Sequence, residues 1–161
     1  MTNIKANILL VEDDPRDAEL TLTALGEYNL ANEVVTVNDG EQALDYLRCR
    51  GHYGGRSGGN PAVVLLDLKM PKVDGFEVLR AIKGDEQLRL IPVVVLTSSR
   101  EEQDLVESYR LNVNAYVVKP VDFHDFVNAI KELGIFWAVI NEPPPTPVMP
   151  TSVPTRNPDS M

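Results

Sequence analysis

The chain has 161 residues, 43% hydrophobic and 24% charged. That suits one domain, with roughly two-thirds of its unfolded surface buried and no need of a disulfide or structural metal. Fifteen basic residues against twenty-four acidic ones give a formal charge of −9, which disfavours nucleic acid and anionic membrane as direct partners. The single cysteine, Cys49, excludes an internal disulfide and suits a reducing cytoplasm, and the acids that follow Ile8–Val11 at once exclude a secretory or membrane-spanning segment there.

In chain order, Ile8-Leu9-Leu10-Val11 reads as a buried strand. Asp14 suits an N-cap and Pro15 a first helical position, for a helix with Ala18, Leu22 and Leu25 on one face. Glu33 to Val37 reads as the second strand, and Asp39-Gly40 opens a helix carrying Ala43, Leu44 and Leu47. The run from Arg48 to Pro61 holds five glycines and reads as a loop; it contains no phosphate-binding GxxxxGK[ST] pattern. Val63 to Leu66 is a third, purely apolar strand, as expected where both faces are covered. Asp74-Gly75 leads into a helix with Phe76, Val78, Leu79 and Ile82. Ile91 to Leu96 is the fourth strand, 101–111 a weakly amphipathic helix, and Ala115 to Val118 a fifth strand. Asp122 caps a last helix with Phe123, Phe126, Val127, Ile130 and Leu133 at helical spacing.

Five strand–helix units in strict alternation imply an α/β fold, a (βα)5 doubly wound parallel sheet with helices on both faces. Apolar residues continue through Leu133, Ile135, Phe136, Trp137, Ala138, Val139 and Ile140. The last helix is therefore expected to extend to 140, and Phe136 and Trp137 to form an interface. From Asn141 onward seven of twenty-one residues are proline, so the expected organisation is a domain over 1–140 and a disordered Pro-rich tail over 141–161. With nothing after 140 able to fold, output is expected from the domain surface itself.

In such sheets ligands gather beyond the carboxyl ends of the strands. There the sequence puts Glu12-Asp13 after strand one, Asp67 after strand three, Thr97-Ser98-Ser99 after strand four and Lys119-Pro120 after strand five. Three neighbouring carboxylates repel unless a cation lies among them, and oxygen ligands favour a hard divalent ion such as Mg²⁺. A lysine and a hydroxyl beside them suit an anionic tetrahedral group, and an aspartate can be the nucleophile in phosphoryl transfer. His52 and His124 lie at no strand end and read as surface residues.

VEDD at 11–14, LLDLKMPKVDG at 65–75, LTSS at 96–99 and AYVVKP at 115–120 together resemble the response-regulator receiver domain, over roughly residues 6–133. The resemblance implies a flavodoxin-like sheet of strand order 2-1-3-4-5. It implies Asp67 as phosphoacceptor, Asp13 and Asp67 as direct ligands of Mg²⁺, Glu12 acting on the ion through water, and the backbone carbonyl of Lys69 as a further ligand. Thr97 and Lys119 would hold the phosphoryl group, Tyr116 would be a switch aromatic, and the Lys119–Pro120 bond would be cis. The protein would then be a self-modifying phosphoacceptor in a two-component phosphorelay, not a multiple-turnover enzyme.

A narrower resemblance joins the long loop and the LGIFWAVINEPPP segment to the small regulators that partner bacterial phytochromes. It implies a light-sensing histidine kinase as donor and a homodimer through the last helices. A competing reading is a Mg²⁺-dependent phosphohydrolase, but such enzymes tend to carry a second acid two residues after the nucleophile, where this chain has Lys69. A pure binding module would have little reason to keep the acids, threonine and lysine together. Lys69 is expected to lean over the site, either shielding the phosphoryl group from water or pairing with Glu12.

Overall fold

The computed structural model describes residues 7–26, 34–56, 59–70, 73–108, 110, 111, 113 and 115–134. Five strands alternate with five helices: β1 (Ile8–Val11), α1 (Pro15–Leu25), β2 (Val34–Val37), α2 (Gly40–Leu47), β3 (Val63–Asp67), α3 (Gly75–Gly84), β4 (Val93–Thr97), α4 (Arg100–Ser108), β5 (Ala115–Val118) and α5 (Phe123–Glu132). All pairings are parallel, in the order β2-β1-β3-β4-β5. This is the expected flavodoxin-like arrangement.

Strand alternation divides the core into two layers. Leu9, Val11, Val64, Leu66, Val93 and Val95 point to one face, where α2, α3 and α4 supply Ala43, Leu47, Val78, Leu79, Ile82 and Val106. Ile8, Leu10, Val63, Leu65, Val94, Leu96, Ala115 and Val117 point to the other, against Ala18 and Leu25 of α1 and Phe126, Ala129 and Ile130 of α5. Each fully buried leucine or isoleucine contributes about 1.5–3 kcal/mol, so these layers dominate the stability.

Helix starts are fixed locally. Asp14, Asp39, Asp74 and Asp122 each accept a backbone N–H from the first turn of the helix that each precedes. Asp74 and Glu77 complete a reciprocal cap, each side chain taking the other's N–H. Two boundaries differ from the sequence reading. β4 begins at Val93, because Ile91 closes a 3₁₀ turn on Leu88 and Pro92 has no N–H to give to a ladder. α4 spans 100–108 rather than 101–111: Arg110 takes φ 55°, in the left-handed region, and turns the chain back on Glu107.

The Arg48–Pro61 loop has more order than its glycines suggest. Gly51–Tyr53 forms a 3₁₀ turn, Tyr53 meets the Tyr46 ring edge-on at 5.1 Å, and the Arg56 guanidinium lies 4.1 Å from that ring's centre. Residues 57 and 58 lie outside the described residues, as do Glu33, the 135–140 segment with Phe136 and Trp137, and the 141–161 segment. Within the described part, Leu133 caps α5 and Gly134 takes φ 73°.

Two glycines set the backbone around the end of β3. A Cβ on Gly75 would collide with the Asp67 carbonyl and the Leu68 Cα, and one on Gly40 with the Val73 carbonyl. Both let helix starts close against the loop after β3, which fixes the backbone that carries Asp67.

Candidate functional site

Because the strands are parallel, their carboxyl ends share one edge, and the residues just past them meet there. The Glu12 N–H donates to the Val37 carbonyl, which holds Glu12 immediately beyond β1. Asp67 is the last residue of β3, paired with Leu96, and Thr97 is the last of β4, paired with Val118. The Lys119 N–H donates to the Thr97 carbonyl at 2.8 Å, and the Lys119–Pro120 bond is cis.

Glu12, Asp13 and Asp67 each present a carboxylate oxygen within 4.8 Å of the others. Glu12 and Asp67 are buried, 1% and 4% exposed. The Lys119 ammonium lies 3.0 Å from Glu12 Oε1 and 3.5 Å from Asp67 Oδ1. It also lies 3.0 Å from Asp17 Oδ2, a partner that reading along the strands did not single out. Asp17 lies on the first turn of α1, and no spacing along the chain marks its reach to Lys119.

The crowding sets the electrostatics. Burial lifts Glu12 to about 7; Lys119 pulls it down and the Asp67 charge pushes it further up. Burial also raises Asp67, against the pull of Lys119. Burial alone would lower Lys119, but Asp17, Glu12 and Asp67 more than reverse this and keep it charged. One lysine thus leaves the acid group short of positive charge. An oxygen-rich, under-neutralised set of this kind fits a hard divalent cation, with Glu12, Asp13 and Asp67 as the available donors.

Thr97 is buried, and its hydroxyl finds no hydrogen-bond partner among the described residues. Tyr116 packs half-buried against the α2–α3–α4 side of the core, and its hydroxyl is likewise unpartnered there. Lys69 does not pair with Glu12, as one expectation had it. Its ammonium is 3.1 Å from Glu102 Oε2, while Glu12 is taken by Lys119. Glu102 is the second residue that sequence reading missed. It sits three residues after Ser99, takes the Ser98 N–H on Oε1 and gives its own N–H to Ser99 Oγ. The Ser-x-x-Glu spacing before α4 carried that signal. His52 and His124 are exposed, as expected.

The model of the response regulator receiver domain matches residues 8–131, over just these strands and strand ends. The chain belongs to the response-regulator receiver family. The structure of the bacteriophytochrome response regulator AtBRR shares 66% identity with it, at TM-score 0.81, over 87% of this chain and 100% of that one. The probable methanogenesis regulatory protein FilR2 of Methanothrix harundinacea is 45% identical over 137 residues, 85% of this chain and 86% of the relative. Response regulator Rcp1 of Synechocystis is 39% identical over 130 residues, 81% of this chain and 87% of the relative. The Mn²⁺-bound crystal structure of Rcp1 aligns at TM-score 0.65 and 38% identity, over 83% and 94% of the two chains. This receiver is similar to bacteriophytochrome response regulators, as the narrower sequence resemblance implied.

The buried acid gives the metal-free receiver a pH signature. Unfolded, Glu12 loses its proton near 4.5; folded, at about 7. Between those values the fold holds a proton that the unfolded chain has released. This contribution to stability is full below about pH 4.5 and is lost as pH rises through 7, by about 3 kcal/mol at most. Denaturant titrations in chelator are expected to show that decline in the parent and a flatter profile in Glu12→Gln. Parallel profiles would contradict the raised value.

Proposed function

We propose that Asp67 accepts a phosphoryl group from a histidine kinase, with Mg²⁺ held by Asp13, Asp67 and the Lys69 carbonyl and by Glu12 through water. The observation that carries this reading is the meeting of three carboxylates and one ammonium at a single sheet edge. An Asp67 oxygen forms the new O–P bond as the donor's N–P bond breaks, and the electron pair leaves on the imidazole nitrogen. Lys119 neutralises one phosphoryl oxygen and the Thr97 hydroxyl donates to another. Bound Mg²⁺ supplies the remaining positive charge. Thr97 and Tyr116 carry the change of state toward α4 and β5, and Thr97 and Lys119 supply the contacts to the phosphoryl group that differ between the two states. Hydrolysis of the acyl phosphate by the same site returns the protein to rest, so the receiver catalyses its own modification and its reversal.

The donor is a bacterial phytochrome kinase. The 66% identity to AtBRR supports this, as AtBRR is itself a bacteriophytochrome response regulator. Label from an autophosphorylated phytochrome kinase should reach Asp67 faster than label from an unrelated kinase. Equal rates would remove the phytochrome assignment, and repeated turnover of a chromogenic phosphoester would replace the receiver reading by a phosphohydrolase. The protein works in the cytoplasm without nucleic acid or lipid as a direct partner. Its acidic charge disfavours nucleic acid and anionic lipid as partners, and its lone Cys49 suits a reducing compartment.

Lys69 shields the phosphoryl group. Its side chain is 76% exposed and tied to Glu102, so it lies between the loop after β3 and the start of α4. Lys69→Ala is expected to speed decay of the phosphorylated state about three- to tenfold, a modest effect in keeping with one exposed ion pair. An unchanged decay rate removes the idea.

The protein is a homodimer through the segment with Phe136 and Trp137, which lies outside the described residues. In sedimentation, the parent should run as a dimer and the Phe136→Ala/Trp137→Ala variant as a monomer. If both run as monomers, or both as dimers, that segment is not the interface.

A further inference from the structure

Lys119 has three N–H donors and three carboxylates around it, yet only two of those acids belong to the proposed metal set. Glu12 and Asp67 do; Asp17 does not. It stands on the first turn of α1, its own N–H bound by the Asp14 cap at 3.3 Å, and its side chain is 36% exposed. Its Oδ2 is nevertheless as close to the lysine as Glu12 is, at 3.0 Å, and closer than Asp67 at 3.5 Å.

That arrangement bears on a competition. An ammonium against Glu12 and Asp67 occupies the same negative charge that a divalent cation needs. If those were its only partners, a metal would have to displace it. A carboxylate outside the metal set changes this, because the lysine keeps a partner when Glu12 and Asp67 turn to the ion. It also keeps the ammonium beside Asp67, where the transferred group arrives.

We propose that Asp17 is a positioning residue, which anchors the Lys119 ammonium through metal binding and phosphoryl arrival and so limits its competition with Mg²⁺ for Glu12 and Asp67. The proposal rests on the metal reading given above. Two effects in Asp17→Asn have the same sign. The lysine falls wholly on Glu12 and Asp67, and the site loses one nearby negative charge. Mg²⁺ binding should therefore weaken, by about tenfold once the partial exposure of Asp17 is allowed for. Asp17→Glu restores the charge at slightly longer reach.

The test has two arms on the full chain. In the first, calorimetric Mg²⁺ titrations compare the parent, Asp17→Asn and Asp17→Glu. The expected order is parent first, Glu within about threefold of it, and Asn about tenfold weaker. In the second, with saturating Mg²⁺, NMR tracks the Lys119 ammonium protons, which an anchored lysine protects from exchange. They should be visible in the parent and lost in Asp17→Asn, while melting shows both proteins folded. Asn binding within about twofold of the parent, Glu as weak as Asn, or an ammonium signal unchanged by the loss of Asp17 would each overturn the proposal. If the parent binds Mg²⁺ but takes no phosphoryl group from any donor, the signalling reading fails while these arms still decide the role of Asp17.

Discussion

Asp67→Asn is expected to take up no phosphoryl group from acetyl phosphate or a kinase under conditions that label the parent, a loss on the order of a thousandfold or more. The amide keeps the size of the carboxylate and removes its nucleophilic oxygen. The side chain is buried at the end of β3, beside Lys119 and within the acid group. The same substitution carries a second expectation of opposite sense. Burial raises Asp67, so its charged form is less comfortable in the fold than in the unfolded chain. At neutral pH without metal the variant should therefore melt above the parent. Loss of labelling together with gain of stability identifies a residue kept for chemistry at a cost to the fold. A variant that melted lower and still became labelled would deny Asp67 both roles.

Lys119→Met should have the largest effect on stability. Methionine keeps most of the stem volume and removes the charge. The ammonium is only 16% exposed at its side chain and faces Glu12, Asp17 and Asp67. Removing one partner of a buried ionic cluster typically costs about 3–5 kcal/mol, because the remaining charge is left uncompensated. The loss should depend on pH. Glu12 already titrates at about 7, and without Lys119 it can protonate more readily, so mild acid should recover part of the stability. Mg²⁺ should recover part of it as well, since a cation then meets an acid group with no lysine in competition. Chemical denaturation at neutral pH, in mild acid and with Mg²⁺ tests all three. A loss below about 1 kcal/mol that neither condition alters would mean that the lysine does not compensate these acids.

Much of the fold was legible because local signals and global pattern agree. Val63–Asp67 and Val93–Thr97 are buried at every residue, as continuous apolar runs demand in a sheet covered on both faces. Asp14, Asp39, Asp74 and Asp122 announce their helices by chemistry that acts within three residues. The site was legible for a related reason: parallel topology brings strand ends together whatever the loops do. Partnerships that depend on side-chain reach from a helix or loop were not legible. Lys69 finds Glu102 because the loop after β3 passes the start of α4, and no sequence spacing encodes that approach. Asp17 reaches Lys119 only because α1 and the chain after β5 lie on the same side of the sheet. The early end of α4 turns on one backbone angle, that of Arg110, a residue type that seldom signals a left-handed turn.

The central claim is that strand-end acids separated along the chain form one metal-dependent phosphoacceptor. Peptide mapping by mass spectrometry after acetyl phosphate treatment, with Mg²⁺ and with chelator, tests it most directly. One phosphoryl group is expected, on the peptide that contains Asp67, formed with Mg²⁺ and not with chelator. A phosphoryl group on another residue, or equal labelling in chelator, would contradict the claim.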